Sequence, residues 1–209
     1  MAVKKTTYFL TIIFAISISL PVFAKVYDIS AELLAETKVK RDIYKKNPSS
    51  DEAKFELAMS YAYTGRIRKG WGMLKEVPKP YSEIVVKKYS ALSEKEPKVW
   101  KHKFKLAFGY FFLKRKDVAI AEFKKVLEID PEQVWAMGFI ALIEGERKNT
   151  DECIKWCNRA LKIEPNAPGI HFLLAEAYRR KGDVFKAFME ACVVGRLVSE
   201  EAIVRPDYD

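Results

Sequence analysis

Phe123-Lys124-Lys125-Val126-Leu127-Glu128-Ile129-Asp130 runs into Pro131, and Cys157-Asn158-Arg159-Ala160-Leu161-Lys162-Ile163-Glu164 runs into Pro165. The same helix end is written twice, 34 residues apart. One further period upstream, Glu96 precedes Pro97, and Asn47-Pro48 opens the series after a longer step of 49. A proline after an apolar-periodic run ends a helix, because it removes the backbone donor and biases the preceding residue away from the helical region. Recurrence at a fixed period is the mark of a stacked array, so repetition decides the architecture.

Outward from these helix ends, Pro and Gly punctuate helical runs over about 29–46, 51–64, 67–77, 82–95, 98–113, 117–129, 132–144, 151–163, 168–181 and 184–200. No run alternates long enough to build a sheet. Leu57-Ala58 with Tyr61, Leu106-Ala107 with Tyr110, Met137-Gly138 with Ala141, and Leu174-Ala175 with Tyr178 recur in the first half of each unit. A small residue beside a large apolar one lets two helices approach closely, and the residue after them fills the space between units. Gly65, Gly145 and Gly182 are expected in the turns between paired helices, where a residue without Cβ relieves a tight backbone.

Leu57-Ala58-Met59-Ser60-Tyr61 with Gly65, Leu174-Ala175-Glu176-Ala177-Tyr178 with Gly182-Asp183 and Ala187, and Ala119-Ile120-Ala121-Glu122-Phe123 through Pro131 resemble the tetratricopeptide repeat family over roughly 48–198. The resemblance implies an all-α fold, a right-handed superhelical solenoid of antiparallel helix pairs, with about four repeats and an extra central helix. On this reading 25–47 is an N-terminal capping helix and 48–204 the array. Val77-Pro78-Lys79-Pro80-Tyr81 marks an irregular insertion around 78–96, and 205–209 is a loose tail. Helix 132–144 starts about three residues early and is followed by a long turn through Thr150. The last helix, 184–200, closes the array with its polar face outward, as a terminal repeat requires.

Such arrays are scaffolds, and any function is expected on the concave face of the first helices. Counting back from the turns places Phe55, Phe104, Trp135 and Phe172 in one slot, Met59, Phe108, Phe139 and Glu176 one helical turn later, and Tyr63, Phe112, Ile143 and Arg180 beyond them. This aromatic stripe reads as a groove that anchors a partner's helix or extended peptide. The alternative is that the insertion or a terminal helix folds over the rings and makes them core. Relatives that grip a C-terminal carboxylate place Lys and Asn at facing slots, whereas these slots carry aromatics. Arg179, Arg180 and Lys181 at the groove end, with Lys101 and Lys103, offer charge to an acidic segment of a partner.

Hydrophobic residues at 49% and aromatics at 13% exclude a disordered chain, and three cysteines are too few for a disulfide scaffold. Cys153 and Cys157 occupy core slots held elsewhere by Ala119, Ala187, Phe123 and Ala191, with a bridge from either to Cys192 as the alternative. Neither His102 nor His171 has the spacing to complete a zinc set. No nucleotide loop, redox pair, haem attachment or nucleophile elbow is present, so no cofactor and no catalysis are expected. Asp151, Glu152 and Glu144 read as helix-capping acids.

At the N-terminus, Lys4-Lys5, an apolar run from Tyr8 to Leu20 and Pro21-Val22-Phe23-Ala24 have the order of a secretory signal peptide cut after Ala24. An uncleaved membrane anchor is the alternative. Removing 1–24 leaves 35 basic against 28 acidic residues in a chain of 185. The expected setting is extracytoplasmic, periplasmic in particular. Its expected partner is another protein of the envelope or a membrane complex, with self-association as the alternative. Nucleic acid is not an expected partner, since the lysines are dispersed among glutamates, and charge alone does not settle direct membrane contact.

Overall fold

A computed structural model describes residues 27–204. The signal-like segment 1–24 and the tail 205–209 lie outside them. Ten helices make up the described chain: α1 (Ala31–Lys46), α2 (Asp51–Tyr63), α3 (Ile67–Leu74), α4 (Lys79–Lys95), α5 (Trp100–Phe112), α6 (Lys116–Ile129), α7 (Val134–Glu146), α8 (Thr150–Ile163), α9 (Pro168–Lys181) and α10 (Val184–Val204). Ser30 caps α1 by accepting from the Leu33 N–H, and Ser50 caps α2 by accepting from the Ala53 N–H. Helix α4 begins at Lys79 and not at 82, because Pro80 stands in its first turn, where the missing N–H would have no intrahelical acceptor anyway.

The turn inside each pair is marked by a left-handed residue: Gly65 (φ 75°), Lys114 (64°), Lys148 (67°) and Gly182 (80°). Each lies 17 residues past its unit's proline, at 48, 97, 131 and 165. This corrects the register of the third unit. Gly145 is inside α7, and α7 starts 34 residues after α5, with no early beginning and no lengthened turn. A glycine near a helix end mimicked the turn signal, while a lysine took the left-handed position.

The pairs α5–α6, α7–α8 and α9–α10 stack in sequence. The α2–α3 pair is laid differently. Glu56 on α2 meets Lys105 on α5, but Tyr63, further along α2, meets Trp100 and Phe104 near the start of α5. Helix α2 therefore runs counter to α5. Its C-terminal end reaches the beginnings of α7 and α9, where a Cβ on Gly65 would stand 2.6 Å from the Trp135 ring and one on Gly169 would stand 3.2 Å from Ile67. The extra helix α4 makes this reversal possible. It packs on α2 through Tyr81 and Tyr89 against Phe55, and on α5 where Gly109 leaves room for Val85 and Val86.

A half-buried ionic cluster, with Lys105 at its buried centre, ties α1, α2, α4 and α5 together. Glu56 accepts from Lys40 at 2.6 Å, from Lys105 at 2.7 Å and from the Tyr89 hydroxyl, while Glu36 pairs with Lys101 at 2.6 Å and Lys40 at 3.1 Å. Burial works against the Glu56 carboxylate, but the two lysines outweigh it and hold the group at about 2. For Lys105 burial prevails over Glu56 and takes the ammonium down to about 8. Helix α1 is thereby tied to α2 and to α5 through Lys40 and Glu36.

Candidate functional site

The aromatic stripe expected to line a groove is interior. Phe55, Met59, Tyr63, Phe104, Phe108 and Trp135 are at most 1% exposed, Phe139 is buried, and Phe112 is half-buried. Two physical reasons account for this. With the turn at Lys148, the residue sharing a slot with Phe55, Phe104 and Phe172 is Gly138, not Trp135, and that slot faces the next element of the array. Phe55 meets α4, the Phe104 ring lies 5.7 Å from that of Phe139 on α7, and a Cβ on Gly138 would stand 2.4 Å from Ile170 on α9. Phe104, Phe108 and Phe139 close around Phe123 of α6 as a junction core. Trp135 lies instead beneath the α2–α3 turn, with its indole N–H donating to the Tyr27 hydroxyl at 2.7 Å. The inserted helix α4 covers Phe55, whereas Phe104, Phe108 and Phe139 are buried by packing within and between the units themselves.

At the end of the array the forward slots have nothing over them. Phe172 on α9 is 61% exposed where its counterparts Phe55 and Phe104 are buried. On α10, Phe188 is 63% exposed, although its counterpart Ile120 is buried and Ile154 is packed against the core. Ala191 is exposed where Phe123 and Cys157 are buried.

The outward face of α10 also departs from the polar surface expected of a terminal helix. Phe185 (74% exposed) stands where α6 and α8 present Asp117 and Asp151, whose side chains are 84% and 86% exposed. Met189 replaces the solvent-facing Lys155, and Val184, next to Phe185, is exposed as well. The register makes these positions solvent-facing, yet their chemistry is that of a contact. Isolated exposed apolar residues need no explanation, but a contiguous set marks an interaction surface. Sequence reasoning picked Phe172 from this set and missed the rest; comparing 185 and 189 with 151 and 155 would have found them.

The basic residues at this end are engaged. Arg179 and Arg180 both bind Glu176, Arg180 also donates to the Gly145 carbonyl at 2.7 Å, and Lys181 pairs with Asp151 at 2.6 Å. Lys101 is held by Glu36. Cys153 and Cys157 are buried, Cys192 is exposed, and all three are free thiols. No helix of the described residues is long and apolar enough to cross a membrane.

An array of paired helices stacked at a fixed period defines the class as a helical-repeat fold. The sequence profile of the tetratricopeptide repeat matches residues 104–133, the span from Phe104 through α6, and α7–α8 and α9–α10 repeat its period and its turn. Over that span the chain is similar to the tetratricopeptide repeat family. Similar folds occur in a MamA protein (13% identity, TM-score 0.54, covering 82% of this chain and 85% of that one) and in MamA from residue 41 onward of Desulfovibrio magneticus RS-1 (13%, 0.51, 82% and 88%). The thermophilic repeat protein TTC0263 of Thermus thermophilus is also similar (17%, 0.50, 80% and 90%). These likenesses concern the fold. No curated protein matches the sequence.

Proposed function

We propose that this protein is a non-enzymatic interaction scaffold and that its recruiting surface is the forward face of α9–α10, where Phe172, Phe185, Phe188 and Met189 seat an amphipathic helix of another protein. The observation that carries this reading is the replacement of the solvent-facing Asp117 and Asp151 of earlier units by Phe185, beside forward slots that are covered in every earlier unit. The internal junctions point to the occupant. There the slots of Phe172 and Phe188 are covered by a following helix, α4 over Phe55, α7 over Phe104 and α9 over Gly138, while Phe185 and Met189 extend that apolar seat onto a face that earlier units leave to solvent.

The signal-like order of residues 1–24 supports an extracytoplasmic setting, with an envelope component as the partner. A chain recovered from its own cells with Lys25 as its first residue would agree with export; retention of Met1 would oppose cleavage.

The seat is tested by the double substitution Phe185→Asp/Phe188→Asp in the full chain. Folding should be unchanged, and a defined partner that co-purifies with the parent should be lost. Equal co-purification of that partner by parent and variant would overturn the assignment, and association of the parent only with itself would replace the partner helix by a second copy.

A further inference from the structure

The turns α5–α6, α7–α8 and α9–α10 lie side by side along one edge of the array, and side chains bridge them directly. Lys116 pairs with Glu146 at 2.9 Å and Arg147 with Asp117 at 2.9 Å, while Arg180 and Lys181 reach back to the Gly145 carbonyl and to Asp151. Between them opens a cleft of about 650 Å³ lined by Lys116, Glu146, Lys148, Thr150 and Arg180.

Charge along this edge is unbalanced in a specific way. Asp117, Glu146, Asp151 and Glu176 are each paired with a cation, and Arg115 lies over the Tyr110 ring. Lys114 and Lys148 are exposed and have no acidic partner among the described residues. These two lysines also hold the left-handed turn position that Gly65 and Gly182 fill elsewhere. A side chain there is costly for the backbone, and glycine would relieve it. Turn geometry does not call for lysine at either place; the uncompensated charge is what the lysines add.

We infer that this edge is a second docking surface and that it takes an acidic, extended segment of a partner protein, with its carboxylates on Lys114 and Lys148 and its backbone in the cleft beside Thr150. The inference rests on the reading of the chain as a protein scaffold but uses a different surface from the α9–α10 seat. An open cleft with interleaved acids and cations suits a chain of spaced carboxylates. A flat anionic bilayer or a nucleic-acid backbone would bring phosphates against Glu146 and Asp117.

The test is fluorescence anisotropy with a labelled hexaglutamate peptide at near-physiological salt, using the full chain. Three variants are compared with the parent: Lys114→Gly/Lys148→Gly, the charge-matched control Lys87→Ala/Lys98→Ala, and Phe185→Asp/Phe188→Asp. The glycine variant should lose roughly fivefold or more in affinity, while its melting temperature rises by about 2–4 °C per site. The other two should bind like the parent, so failure here is separable from failure of the apolar seat. An unbound peptide, equal losses in the glycine variant and the control, or stronger Lys114- and Lys148-dependent binding to phosphatidylserine vesicles than to the peptide would each overturn the inference.

Discussion

The ring of Phe104 on α5 meets that of Phe139 on α7 edge to face, with centroids 5.7 Å apart. The contact joins one unit to the next, and Phe104 occupies the slot that Phe172 occupies in α9. Phe172 has the same chemistry in the same register, but no following unit covers it. One side chain builds the array and the other ends it.

That difference sets a contrast in stability. Phe104→Ala should cost about 3–5 kcal/mol, because it empties a closed junction. Phe172→Ala and Phe185→Asp should each change stability by no more than about 0.5 kcal/mol, since both side chains are mostly solvated. Urea denaturation of the three variants measures this; a large loss for Phe172→Ala would mean that the terminal face is part of the core.

Two left-handed glycines separate backbone cost from contact cost. Gly182→Ala meets nothing within 4 Å and should cost about 1–2 kcal/mol from conformation alone. Gly65→Ala carries the same conformational penalty and also drives a methyl into the rigid Trp135 ring, whose Cζ2 atom would lie 2.6 Å away, adding about 1–3 kcal/mol. Equal losses at the two sites would contradict the packing of the α2–α3 turn on α7.

Much of this organisation can be read from the chain, and the failures have physical causes. All ten helices follow from proline spacing and apolar periodicity. The third unit is misread because Gly145 resembles a turn residue, while Lys148 accepts a conformation that sequence reasoning reserves for glycine. The reversal of α2–α3 is hidden because Glu36 and Lys40, and Lys101 and Lys105, are spaced like solvated i,i+4 charges. In the fold Glu36 and Lys40 keep their i,i+4 bridge but also pair between helices, Glu36 with Lys101 and Lys40 with Glu56, and Lys105 is buried against Glu56. Burial of the aromatic stripe follows from these two facts together. The apolar face of α10 becomes visible only when its residues are compared with their counterparts one period earlier.

Acid should loosen the contact of α1 and α2 with α4 and α5. The folded Glu56 carboxyl sits at about 2, below an ordinary glutamate, so its contribution is present above about pH 4.5 and is lost as pH falls toward 2. The loss should be on the order of 2 kcal/mol. Glu36, also lowered, acts in the same direction. Glu56→Gln should flatten the pH dependence of the unfolding midpoint between about 4.5 and 2; an unchanged slope would remove Glu56 from the linkage.

Thiol reactivity should divide two to one. Cys192 should react with a maleimide in the native protein, whereas Cys153 and Cys157 should react only on unfolding, because both are buried against the core. Rapid native labelling of all three would show that α8 does not stay packed.

The most direct test places a photoreactive amino acid at Phe188 of the full chain in its own cells, with the same residue at Asp151 as the comparison, and maps the cross-linked peptides by mass spectrometry. The account predicts that position 188 joins an amphipathic helical segment of another protein and that position 151 does not. Cross-links from 188 only to a second copy of this chain, or no product above that seen at 151, would contradict it.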